Sequence, residues 1–136
     1  MVVEKLQPPD SVAFVVAYLK SAYASRGETA PVGSKIRDPR PPKFTKVRLM
    51  GGFDPDVVRY APMLLFECWG RDQFDDLTAS ALGRLTFGLI NALPDANIGC
   101  TQVVNVGGLA EQPDPDSGAA RYVFTKQLYL RSEVLI

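Results

Sequence analysis

Apolar residues recur at three- and four-residue steps through Val12, Val15, Val16, Leu19, Ala22 and Tyr23. That period predicts a helix from Asp10 to Arg26 with one apolar face. Asp10, after Pro8-Pro9, is placed to accept a free N–H of the first turn, and Gly27 to end the helix. Residues 28–43 read as a loop, because four prolines there cannot donate to a strand ladder; at most a short edge strand near Val32–Ile36 survives. Strand character resumes over Phe44–Met50 and stops at Gly51-Gly52, with a turn over residues 53–56. From Tyr60 to Trp69 the alternation sets Leu64, Phe66 and Cys68 on one face and Met63, Leu65, Glu67 and Trp69 on the other. Apolar groups on both faces predict a central strand, or one whose second face meets another subunit.

A second helix is predicted over Gln73–Leu93, with Asp72 as cap and Asp75 and Asp76 facing the positive end of its dipole. Its apolar stripe reads Phe74, Leu77, Ala81, Leu85, Leu89 and Ala92, and Pro94 stops it. Strands follow near Ile98–Val106 and Arg121–Arg131, on either side of the polar tract 111–118. The order helix, strand, strand, helix, strand, strand predicts an α+β fold. Two helices pack on a mainly antiparallel sheet of about four strands, with one parallel pairing through the second helix. No repeat or boundary interrupts the chain, so residues 1–136 read as a single domain.

Composition narrows the chemistry. Fifteen basic and fifteen acidic side chains cancel, which argues against a protein that grips nucleic acid through its overall field. No apolar run approaches the roughly 20 residues of a membrane helix. The start, Met-Val-Val-Glu-Lys-Leu-Gln-Pro-Pro, has no basic segment leading into an apolar one, so a cytoplasmic place of folding is expected. Histidine is absent, which removes Ser-His-Asp and Cys-His catalysis and every histidine-containing zinc site. Cys68 and Cys100 lie in separate strand-like stretches and read as two buried thiols, with a disulfide as the alternative.

Carboxylates are the remaining groups for acid–base or metal chemistry. Asp114-Pro-Asp116-Ser-Gly118 opens like a calcium loop, but Gly118 replaces an oxygen ligand and Thr125 stands where the closing glutamate belongs. Asp54-Pro-Asp56 fails in the same way, with Leu65 at the closing position. Both tracts read as turns. Gly107-Gly108 and Gly51-Gly52 follow strands, but no helix start with a lysine comes next, as a phosphate loop requires. They mark places where the backbone turns or a neighbour comes close. No enzyme activity, metal or cofactor is expected. Lys35, Arg37, Arg40, Lys43, Lys46 and Arg48 fall within fourteen residues, either as a solvated face or as a positive rim toward a partner or a phosphate backbone.

Three tracts carry a family likeness: Pro39-Arg-Pro-Pro-Lys-Phe-Thr-Lys-Val-Arg-Leu-Met-Gly-Gly52, Phe66-Glu-Cys-Trp-Gly-Arg-Asp72, and Pro113-Asp-Pro-Asp-Ser-Gly-Ala-Ala-Arg-Tyr122. In order and element pattern the chain resembles the tail terminator proteins of long-tailed, siphovirus-type bacteriophages, especially those infecting actinobacteria. The resemblance implies a virion protein, assembled in the host cytoplasm and placed at the neck of the tail. It implies a homohexameric ring that caps the tail tube protein, stops tube growth and offers a joining face to the head–tail connector or head-completion protein. DNA passes through the lumen without sequence-specific binding. Candidate subunit or partner contacts are Arg37, Arg40, Gly51, Gly52, Trp69, Asp114, Asp116 and Arg121. One expected contact sets Asp114 and Asp116 of one subunit against Arg37 or Arg40 of the next. The rival readings are another neck ring component, a small carboxylate-dependent enzyme, and an adaptor for a host protein.

Overall fold

The computed structural model describes residues 5–135. Residues 1–4, which hold the start of the tract read above for a leader, and residue 136 lie outside that range. Helix α1 spans Ser11–Ser25; the Asp10 carboxylate accepts the Ala13 N–H at 3.0 Å, and Gly27 turns the chain away at φ 73°. Its inward face is Val15, Leu19 and Tyr23. The expected edge strand is present as β2, only Val32–Gly33 long.

The next strand, β3, runs over Phe44–Phe53, past the glycine pair that was expected to end it. A bulge between Leu49 and Gly52 absorbs the glycines, and Gly52 lies flat against Ala61 and Pro62 of β4 (Arg59–Trp69). Helix α2 spans Asp76–Asn91, starting later than the sequence suggested. Asp72 does not cap it. Its carboxylate accepts the Phe74 N–H in a tight turn instead, while Asp75 takes the Arg71 N–H. The stripe also differs: Ala79, Leu82, Gly83, Thr86, Leu89 and Ile90 face inward, and Phe74 and Leu77 are each 84% exposed. Ala81 and Ala92 are exposed as well. Pro94 sits in a short 3-10 turn, Leu93–Ala96, that leads to β5 (Cys100–Glu111) and then β6 (Arg121–Arg131).

Among the described residues the main sheet has five strands in the order β2-β3-β4-β6-β5, one more than expected. A separate pair joins β1 (Leu6–Gln7) to β7 (Glu133–Val134), also unanticipated. The one parallel pairing in the five-stranded sheet is β2 with β3. Strands β4 and β5, joined through α2, do run in the same direction, but β6 lies between them. Both helices cover the face bearing Val47, Leu64, Phe66, Phe124 and Leu128, with α1 over β2 and β3 and α2 over β4, β6 and β5.

Polar groups in this core are paired, as burial demands. The Tyr23 hydroxyl bonds the hydroxyls of Thr45 and Thr86, tying α1, β3 and α2 together, and the Tyr18 hydroxyl donates to the Leu89 carbonyl at 2.7 Å. Lys126 is buried against the Phe87 ring, with Nζ 3.5 Å from the centroid, and donates to the side-chain oxygens of Asn91 and Asn105. Burial without a carboxylate partner holds its pKa below the usual lysine value. Cys68 and Cys100 are buried free thiols at opposite ends of the sheet: Cys68 is level with Glu111, and Cys100 with Tyr60. That separation excludes a bond between them.

Candidate assembly surface

Among the described residues no helix covers the second face of the sheet, and the loop 112–120 folds back across one end. That loop is shaped by its own turn residues. The Asp114 carboxylate accepts the Asp116 N–H at 3.0 Å, the Gly118 N–H reaches the Asp114 carbonyl at 2.7 Å, and Gly118 takes φ 74°. The turn brings Ala119 onto Phe44 and Trp69, which form a small second core. These two rings stack at 4.5 Å, and a guanidinium closes each end of the stack: Arg40 lies 5.5 Å over Phe44, and Arg121 lies 5.4 Å over Trp69.

Hydrogen bonds lock the stack. The Trp69 indole N–H donates to Asp114 Oδ2 at 3.2 Å, and Arg40 donates to the Gly70 carbonyl and to Ser117 Oγ. Arg121 donates to the Gln112 carbonyl at 2.9 Å and also faces Glu67. Partial burial works against the Asp114 carboxylate, but the Asp116 N–H, the Trp69 indole, Ser117 and Arg121 outweigh it, so its pKa falls below the usual value. Glu67, 3% exposed, sits between Arg48 at 3.4 Å and Arg121 at 3.5 Å.

The structure therefore brings Arg40, Trp69, Asp114 and Arg121 of the candidate set into one junction. Within the single chain Arg40 and Asp114 already have partners. Arg37 and Asp116 remain exposed. Arg37 lines a cavity of about 300 Å³ together with Lys20, Lys35 and Tyr23, on the β2 side of the molecule. Gly51 and Gly52 form the β3 bulge, away from the junction. Sequence reasoning missed Glu67 as a buried acidic side chain between two arginines; its signal was a lone acidic residue within an apolar strand. Among the described residues, no three acidic or cysteine side chains gather as a metal site.

No family model matches this sequence, and no curated protein matches it. Function therefore rests on the surfaces that the fold leaves open. Strand β5 is one edge of the sheet, twelve residues long, with no lysine, arginine or proline and with Glu111 as its single charge. Natural proteins usually blunt such an edge with charge, proline or brevity. At the other edge β2 covers only Thr45 and Lys46, so β3 from Val47 to Phe53 has no outer partner among the described residues. Leu49, Met50, Phe53, Val57 and Val58 are 49–79% exposed on and beside that edge. No helix of the described residues is long and apolar enough to cross a membrane.

Proposed function

We propose that the chain is a structural subunit of a phage tail, a tail terminator that acts as a closed ring at the neck. The observation that carries this reading is the pair of open, dissimilar edges on one sheet. A ring built head to tail needs two different complementary patches on every subunit, and an isologous dimer needs only one. Charge is divided in the same sense. Residues 11–53, which hold α1, β2 and β3, carry eight basic and two acidic side chains; residues 70–131, with α2, β5 and β6, carry five basic and seven acidic. Complementary halves steer neighbours together while the net charge stays at zero.

Within this reading the locked junction of Arg40, Phe44, Trp69 and Arg121 keeps two loops rigid, which suits a joining surface better than a mobile site does. The ring caps the tail tube, halts its growth and presents a face to the connector, with DNA passing through the lumen. The likeness of the three tracts to tail terminators adds support for this placement over other ring-forming proteins. Antibody labelling of tails assembled without heads tests the placement. Label at one tail end supports a terminator. Label absent from tails and present on filled heads transfers the chain to the head-completion class.

A further inference from the structure

We propose that neighbouring copies join edge to edge, with β5 of one copy pairing antiparallel to the outer edge of β3 in the next, so that the sheet continues through the assembly. This names the interface within the ring reading and rests on it.

The strand directions set the sense. Every step from β3 through β4 and β6 to β5 is antiparallel, so β3 and β5 run in opposite directions. A copy displaced along the sheet therefore sets its β3 antiparallel to the first copy's β5 without being turned over. The registers set the level. Val104 is opposite Gln127, which is opposite Met63, whose β3 neighbour falls in the bulge at Met50. By the same path Gln102 is level with Phe53, and Glu111 with Thr45.

Met50 thus meets Val104 in the middle of the seam, next to Val106. Met50 and Val106 are 51% and 49% exposed in the single chain. At the charged end, Glu111 arrives beside the edge that carries Lys35, Arg37 and Lys46. Lys35 and Arg37 are exposed, and Lys46 is half-buried. The occupant is a second copy, because the acidic half of one chain meets the basic half of the next. Each edge carries a bulge, which limits regular pairing to a few residues and bends the strand, as a closed ring requires.

Cysteine pairs test the seam. Within one chain β3 and β5 are separated by three strand spacings, roughly 14 Å, which is beyond the reach of a disulfide. The native thiols are buried. Under mild oxidation, mixing the single variants Met50→Cys and Val104→Cys should give a covalent dimer, while neither alone does. The double variant should give a ladder that rises to the full ring. Phe53→Cys with Gln102→Cys provides a second level pair should the first perturb folding. Oligomers in native mass spectra of the unsubstituted chain, with no cross-link at either pair, overturn the seam and leave the ring standing. Monomer alone, with no cross-link, overturns both.

Discussion

Gly52→Ala should destabilise the protein far more than Gly51→Ala, although the two residues are adjacent and both hold positive φ, 143° and 113°. A side chain at either site adopts a sparsely populated backbone conformation, at a cost of about 1–3 kcal/mol. At Gly51 nothing lies within 4 Å of an added methyl group, so that cost is the whole effect. At Gly52 the methyl group overlaps the Ala61 carbonyl and lies 2.7 Å from Pro62 Cα. Relief requires β3 and β4 to part at the bulge, with loss of ladder hydrogen bonds worth about 1 kcal/mol each. The sum for Gly52→Ala is about 3–5 kcal/mol, against about 1–3 kcal/mol for Gly51→Ala. In thermal melts these correspond to losses of roughly 10–20 °C and 3–10 °C. Urea unfolding at fixed protein concentration gives the free energies directly. Equal destabilisation of the two variants would refute the claim that close backbone approach, and not conformation alone, requires glycine at 52.

Three further outcomes follow from buried charges and thiols. Glu67→Leu leaves Arg121, with 17% of its side chain exposed, without its carboxylate, and should cost about 2–4 kcal/mol in urea unfolding; an unchanged midpoint would show that the pair contributes nothing. Burial pushes the Cys68 thiol up to about 11 from its ordinary 9.0. The folded chain then holds a proton that the unfolded chain releases, so this stability is full below pH 9 and lost as pH rises through 11, about 3 kcal/mol in all. Cys68→Ala should flatten that part of the pH profile. Lys126 has the opposite sign: its lowered folded pKa means the unfolded chain binds the extra proton, so stability rises with pH up to 10.5. Lys126→Met should abolish that rise and be neutral or stabilising by about 1 kcal/mol at pH 7; a large loss would show that its bonds to Asn91 and Asn105 outweigh its desolvation.

The fold was legible where local and tertiary demands agree. Asp10, the Val15–Leu19–Tyr23 face and Gly27 define α1 from sequence because cap, stripe and stop coincide there. In α2 two stripes compete. The expected one, Phe74, Leu77, Ala81, Leu85, Leu89 and Ala92, shares only Leu89 with the buried one, which contains Gly83 and Thr86. Thr86 is inside because Tyr23 supplies a hydroxyl partner, and Gly83 because Tyr122 leaves no room for a larger residue, with a Cβ there only 3.0 Å from the Tyr122 Cβ. Neither reason is visible without the neighbouring element. Strands β3 and β5 continue through glycine pairs that read as stops, since a bulge tolerates glycine as well as a turn does. The insertion of β6 between β4 and β5 depends on long-range pairing, which periodicity does not encode. Among the candidate residues, turn composition picked out Asp114 and Asp116 and the proline loop picked out Arg40. The meeting of Arg40 and Asp114 at Trp69 depended on the loop 112–120 folding back across the sheet, which leaves Asp116 exposed.

Native mass spectrometry of the purified chain across a wide concentration range tests the central claim most directly. The account predicts one dominant closed species, six copies of the 14.9 kDa chain, with no series of growing intermediates. A monomer at every concentration, or an open ladder of ever larger species, would contradict it.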